Sequence, residues 1–111
     1  MKKLFKCTIC GYIYEGEQAP EACPKCRQGA DKFVELSAEE AQLIYNSDRT
    51  NDIHSEIIAL AARIAELSQE GIDLNLDPKC VAAFSAAKNE VWTIKQRCKA
   101  ELAGHMKLGK W

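Results

Sequence analysis

The chain has 111 residues, with 15 basic and 16 acidic side chains and a formal net charge of -1. That length holds one ordinary domain or two small ones. The mixed charges offer no basic stripe for nucleic acid and no acidic tail. Apolar runs are only a few residues long, so no membrane span is expected, and MKKLFKC lacks the apolar core of a secretory signal. The expectation is a soluble, cytoplasmic protein.

Residues 1–36 read as a small metal-stapled β ribbon. In CTICGYIYEGEQAPEACPKC, the pairs Cys7/Cys10 and Cys23/Cys26 are two Cys-x-x-Cys units separated by twelve residues. Four thiolates at this spacing suit one tetrahedral metal ion. Six cysteines also permit three disulfides, but that pattern belongs to small secreted domains. Cys80 and Cys98 stand apart, without a neighbour that would activate a thiol, and are expected to be reduced, buried, small hydrophobes. Short strands are expected at Lys3–Cys7, Tyr12–Tyr14 and Phe33–Leu36, punctuated by Gly16 and Pro20. Chains below about 40 residues seldom bury a sufficient core alone, so the metal is expected to contribute to folding.

From Ser37 to the end, residues 37–111, the grammar is helical. SAEE is a capping box, Ser37 as N-cap and Glu40 reaching back. The helix it starts either stops near Ser47 or continues, since SDRTND offers several alternative caps around residues 47–51. Ile53, Ile57, Leu60, Ile64 and Leu67, alternately four and three apart, form an apolar seam. Gly71 is expected as its C-terminal cap. After IDLNL, Asp77-Pro78 supplies an N-cap and a first-turn proline. A second helix is expected from Pro78 to about Ala103, with Val81, Phe84, Ala87, Val91, Ile94, Cys98 and Leu102 as apolar positions.

The short connection predicts an antiparallel hairpin. Ala59, Ala61, Ala62, Ala82, Ala83 and Ala86 extend its buried faces. Because a hairpin alone leaves much of each stripe wet, a homodimer or higher homo-oligomer forming a four-helix bundle is expected. The alternative is a monomer covered by residues 37–47 and the metal domain. Trp92 is expected as a packing anchor, and GHMKLGKW to fold back through Met106, Leu108 and Trp111.

Spacing alone leaves the metal as iron or zinc. Gly11 lets the first turn curl round an ion, and Pro24 stiffens the second. Beyond spacing, FKCTICGYIYEGEQAPEACPKCRQGADKF resembles the rubredoxin-type domain of rubrerythrins. It shares the aromatic two residues before the first cysteine, CxxCGY, a loop glycine, and CPxC followed by Phe33. The resemblance implies Cys7, Cys10, Cys23 and Cys26 as ligands of a single mononuclear iron, with zinc as the alternative. Arg27 departs from the glycine common after the last ligand, which bears on one amide-to-sulfur bond.

An N-terminal domain of this type resembles reverse rubrerythrins, in which a ferritin-like di-iron bundle follows. Such a bundle needs Glu-x-x-His pairs, and no glutamate from Glu39 to Glu101 has a histidine three residues on. His54 and His105, the latter four residues after Glu101, are expected in surface pairing or packing. An atypical second metal site assembled between chains is the competing reading.

Three functions follow. The preferred one is an electron carrier, rather than an enzyme, that serves a redox or peroxide-defence partner the sequence does not name. The second is a structural zinc ribbon on an interaction module. The third is a rubrerythrin-like peroxidase with an atypical metal site.

Overall fold

The computed structural model describes residues 2–111. Two compact units divide the chain, Met1–Asn46 and Ser47–Trp111. The boundary falls inside a helix, ten residues beyond the end of the segment read as the metal domain.

In the first unit, β1 (Lys3–Cys7), β2 (Ile13–Gly16) and β3 (Phe33–Glu35) form an antiparallel sheet in the order β2-β1-β3. Phe5 pairs with Tyr14 on one side and Glu35 on the other. Successive strand residues point to opposite faces, yet Leu4 and Phe5 are both buried. The central strand is therefore covered on both sides, and it delivers Cys7 at its end. A single 3-10 turn, Ala30–Lys32, leads into β3.

The helix α1 (Ala38–Leu74) begins in this unit. Ser37 Oγ accepts from the Glu40 amide at 3.1 Å, and Glu40 Oε1 accepts from the Ser37 amide at 2.9 Å. This is the reciprocal cap that SAEE predicts. The Ser37 amide first, and then the Ser37 hydroxyl, hold the Glu40 carboxyl below its ordinary range. Tyr45, two turns on, donates to Glu15 Oε2 at 2.5 Å, with the Lys2 carbonyl at 3.1 Å, and so ties α1 to β2.

The helix runs unbroken through SDRTND. Thr50 Oγ1 donates back to the Ser47 carbonyl and Ser55 Oγ to that of Asn51. Within SDRTND, Thr50 thus turns its hydroxyl to the preceding turn rather than starting a new helix.

The second unit is a helical hairpin of α1 with α2 (Pro78–Lys107). Asp77 caps α2 by accepting from the Cys80 amide at 2.8 Å, and Pro78 opens its first turn. The helix passes Gly104 and stops four residues beyond the expected end. Gly109, at φ +74°, takes the left-handed position, and the Lys110 amide bonds to the His105 carbonyl at 2.8 Å. This is the six-to-one bond of a Schellman stop.

Several expectations about the hairpin are corrected. Gly71 is a buried helical residue packed on Phe84 rather than a cap, and the left-handed residue ending α1 is Asn75, at φ +49°. The seam Ile53, Leu60, Ile64 and Leu67 is exposed, with Ile57 half-buried; the buried face is the adjacent one, including Asn51, Ala61, Ser68 and Gly71. Contacts along the hairpin fix this rotation. Asn51 Nδ2 donates to the Lys110 carbonyl at 2.7 Å, Lys88 Nζ donates to Gln69 Oε1 at 2.5 Å, and Phe84 fills the space over Gly71. From α2, Val91, Cys98 and Leu102 are buried while Ile94 is exposed. Trp92, Met106, Leu108 and Trp111 are exposed rather than packed, the last turn being anchored through the Lys110 backbone instead.

Candidate metal centre

The Cys-x-x-Cys segments fold as two matching knuckles. In the first, the Cys7 amide donates to the Tyr12 carbonyl at 2.8 Å and the Gly11 amide to the Cys7 carbonyl at 2.9 Å. In the second, the Cys23 amide donates to the Gln28 carbonyl at 2.8 Å and the Arg27 amide to the Cys23 carbonyl at 2.9 Å. Each knuckle turns through a left-handed residue directly after its second cysteine, Gly11 at φ +82° and Arg27 at φ +68°. Glycine adopts this conformation freely, whereas an L side chain costs on the order of 1 kcal/mol there. Arg27 thus makes at some conformational cost the turn that Gly11 makes freely, and its amide bond to the Cys23 carbonyl has the same 2.9 Å length as that of Gly11 to Cys7.

The knuckles bring all four sulfurs together. The Sγ atoms of Cys7, Cys10, Cys23 and Cys26 lie within 4.8 Å of one another, with Cys7–Cys26 and Cys10–Cys23 each 3.6 Å apart. A tetrahedron with metal–sulfur bonds of about 2.3 Å has edges of roughly 3.8 Å, so the set fits a four-thiolate ion. Cys7 and Cys23 are buried; Cys10 and Cys26 are partly exposed. One edge of the cluster therefore faces solvent. Thr8 locks the first knuckle to the 3-10 turn, its amide and Oγ1 both donating to the Lys32 carbonyl, at 2.9 and 2.7 Å.

The first sulfur of each knuckle, Cys7 and Cys23, is the one fed by two backbone amides. At Cys7, the backbone amides of Cys10 and Ile9 outweigh burial and lower the thiol below its ordinary value. At Cys23, burial opposes ionisation, but the amides of Cys26 and Lys25, helped by the neighbouring thiols, win and bring it to about 6. The Cys26 amide stands 3.5 Å from Cys23 Sγ. Cys26 behaves oppositely. The Gln28 amide favours its thiolate, yet burial and hydrogen bonding to the other three sulfurs push it up to about 12. Four clustered sulfurs cannot all carry negative charge without a cation, so the last proton is held until one replaces it.

The histidines are elsewhere. His105 Nδ1 lies 2.5 Å from Asn51 Oδ1, and His105 Nε2 lies 3.4 Å from Glu101 Oε1. Because Asn51 Nδ2 is engaged with Lys110, its oxygen faces His105 and places the ring proton on Nδ1. The His54 ring meets His105 edge-on at 6.2 Å, and its buried Nδ1 has no hydrogen-bond partner. Among the described residues, the four cysteines are the one group of three or more His, Cys, Asp or Glu side chains gathered closely enough to share an ion.

Sequence reasoning did not find Tyr45 or Glu15, whose bond holds the helix against the ribbon strand. The two residues are thirty positions apart and belong to no local motif.

Residues 5–34 match the family model "Rubrerythrin, rubredoxin-like domain". Reverse rubrerythrin-1 of Clostridium acetobutylicum is 67% identical over 39 residues, covering 35% of this chain and 21% of that protein. Rubrerythrin-1 of the same organism is 58% identical over 35 residues, covering 32% of this chain and 18% of that protein. The matched segment thus spans about a fifth of these relatives, and no solved structure matches. Residues 5–34 are a rubredoxin-like domain of the rubrerythrin type, with a four-cysteine site suited to a metal ion and a helical hairpin after it.

Proposed function

We propose that the protein is a one-electron carrier of the cytoplasm, serving a redox partner in peroxide defence. Cys7, Cys10, Cys23 and Cys26 would hold a single iron ion, which would supply reversible one-electron chemistry. The observation that carries this reading is the asymmetry of the cluster. Cys7 and Cys23 are buried and each fed by two backbone amides, while Cys10 and Cys26 are part-exposed and form an edge open to a docking protein.

The amides of Ile9, Cys10, Lys25 and Cys26 disperse thiolate charge, and such bonds tune the reduction potential of an iron–sulfur centre. Each knuckle is closed by its own pair of backbone bonds, and Thr8 ties the first to Lys32, which limits rearrangement between oxidation states. Four protein thiolates would also close the coordination shell of a bound ion, leaving no position for a substrate. No step of peroxide cleavage is therefore assigned to this site. The likeness of residues 5–34 to the rubrerythrin domain supports iron over a structural zinc ribbon, while the same donor set admits zinc.

The test is a pair of assays on the full iron-loaded chain. It should accept one electron from a flavin reductase and return it to oxidised cytochrome c, with slow peroxide turnover at most. Failure of that transfer would overturn the carrier reading. Rapid peroxide turnover abolished by Glu101→Gln or His105→Gln, with the visible chromophore intact, would overturn it in favour of a second metal site in the hairpin.

A further inference from the structure

The seam Ile53, Ile57, Leu60, Ile64 and Leu67 follows a heptad over about 21 Å of α1, at 1.5 Å per residue. Four of the five are exposed, and the hairpin does not cover them. A continuous apolar stripe of this kind calls for a partner. The charges beside it say which partner.

Arg49, Glu56, Arg63 and Glu70 recur every seven residues along the flank of the seam away from α2, and all four are exposed. Their signs alternate. In an antiparallel helix pair these flanking positions meet their own counterparts across the seam. If Ile57 sits opposite the partner's Leu60, then Glu56 faces the partner's Arg63 and Arg49 faces the partner's Glu70. The two-fold axis repeats both pairs, so four opposite-charge pairs form. Sliding the helices by one heptad in one direction sets Arg63 against the partner's Arg63 and Glu56 against the partner's Glu70. Sliding them the other way sets Glu56 against the partner's Glu56 and Arg49 against the partner's Arg63. A parallel pair would instead aim Glu56 and Arg63 at the partner's Ala61 and Ser68, which carry no charge.

We infer that a second copy of this chain docks on this face, α1 against α1 and antiparallel, in the one register that places Glu56 opposite the partner's Arg63. The apolar stripe contributes the affinity. Exposed ion pairs are individually weak, roughly 0.2–1 kcal/mol each, and here they select register and orientation.

Sedimentation equilibrium on the full chain tests this. The wild type forms a dimer at micromolar concentration. Glu56→Arg and Arg63→Glu each turn two attractive pairs repulsive and weaken the dimer roughly tenfold or more. The combined variant, Glu56→Arg with Arg63→Glu, regains wild-type association. Mixing the two single variants yields a heterodimer tighter than either homodimer, because each chain then supplies the charge the other lacks. Circular dichroism of each variant confirms that the helices persist. A wild-type monomer at every concentration overturns the proposal, the face then being meant for another protein. So does a dimer indifferent to these changes, or a mixture showing no preference for the heterodimer.

Discussion

Gly71 of α1 lies so close to the ring of Phe84 on α2 that a Cβ atom at residue 71 would overlap three ring carbons. Two effects of Gly71→Ala therefore oppose each other. Alanine is the better helix former by about 1 kcal/mol, while forcing a methyl group into a filled contact costs about 1–3 kcal/mol. Packing wins where the displaced group is a half-buried aromatic ring. Urea unfolding followed by circular dichroism should show Gly71→Ala less stable than wild type by about 1 kcal/mol. A gain in stability would mean that Phe84 is free to swing aside and does not set the rotation of α1.

Much of the fold is local and was legible for that reason. The Ser37–Glu40 box, the Asp77-Pro78 start and the two Cys-x-x-Cys turns each depend on residues within a few positions of one another. The face of α1 turned to α2 was not legible. Two adjacent stripes compete on that helix, one of bulky aliphatics and one of small or polar residues. The choice rests on contacts between residues far apart in sequence, Asn51 with Lys110 and Gly71 with Phe84. The role of Gly71 was misread for the same reason. A glycine near a helix end suits a cap, and only Phe84 shows that it is a packing position. The gathering of the four cysteine sulfurs was readable from spacing, while the Tyr45–Glu15 tie leaves no local trace.

The knuckle residues make a second test. Gly11 and Arg27 hold the same left-handed position, and a Cβ at Gly11 meets nothing within 4 Å. Any cost of Gly11→Ala is therefore conformational, on the order of 1 kcal/mol. Arg27→Gly should relieve the corresponding cost and stabilise the metal-loaded domain by up to about 1 kcal/mol. Denaturant titration of the metal–thiolate absorbance reads both. Equal midpoints for Arg27→Gly and wild type would show that Arg27 is not strained.

Tyr45 gives a pH signature. Its hydrogen bond to the Glu15 carboxylate, with burial and the carboxylate charge adding to it, raises the phenol from 10.0 to about 12. The folded state thus holds this proton more tightly than the unfolded chain does. The stabilisation is fully present below pH 10 and is lost as pH rises from about 10 through about 12. The stability difference between wild type and Tyr45→Phe should stay level below pH 10 and shrink above it. NMR titration should place the Tyr45 phenol well above 10, and Glu15→Gln should return it toward 10. An unshifted phenol would remove the bond from this account.

The cysteines divide the chain's dependence on metal. Cys10→Ser removes one of four thiolates and should abolish the native site and destabilise the β ribbon, since a domain this small seldom buries a sufficient core without an ion or crosslink. The hairpin from Ser47 onward buries its own face and should keep most of its helical circular dichroism. Loss of most of that signal would show that the helices depend on the ribbon.

The most direct measurement is the metal content and visible spectrum of the protein purified from its native host, where overexpression does not favour zinc. About one iron per chain is expected, with a red chromophore that bleaches on reduction and returns on oxidation. A colourless protein with one zinc per chain would contradict that expectation and leave the four cysteines a structural role alone.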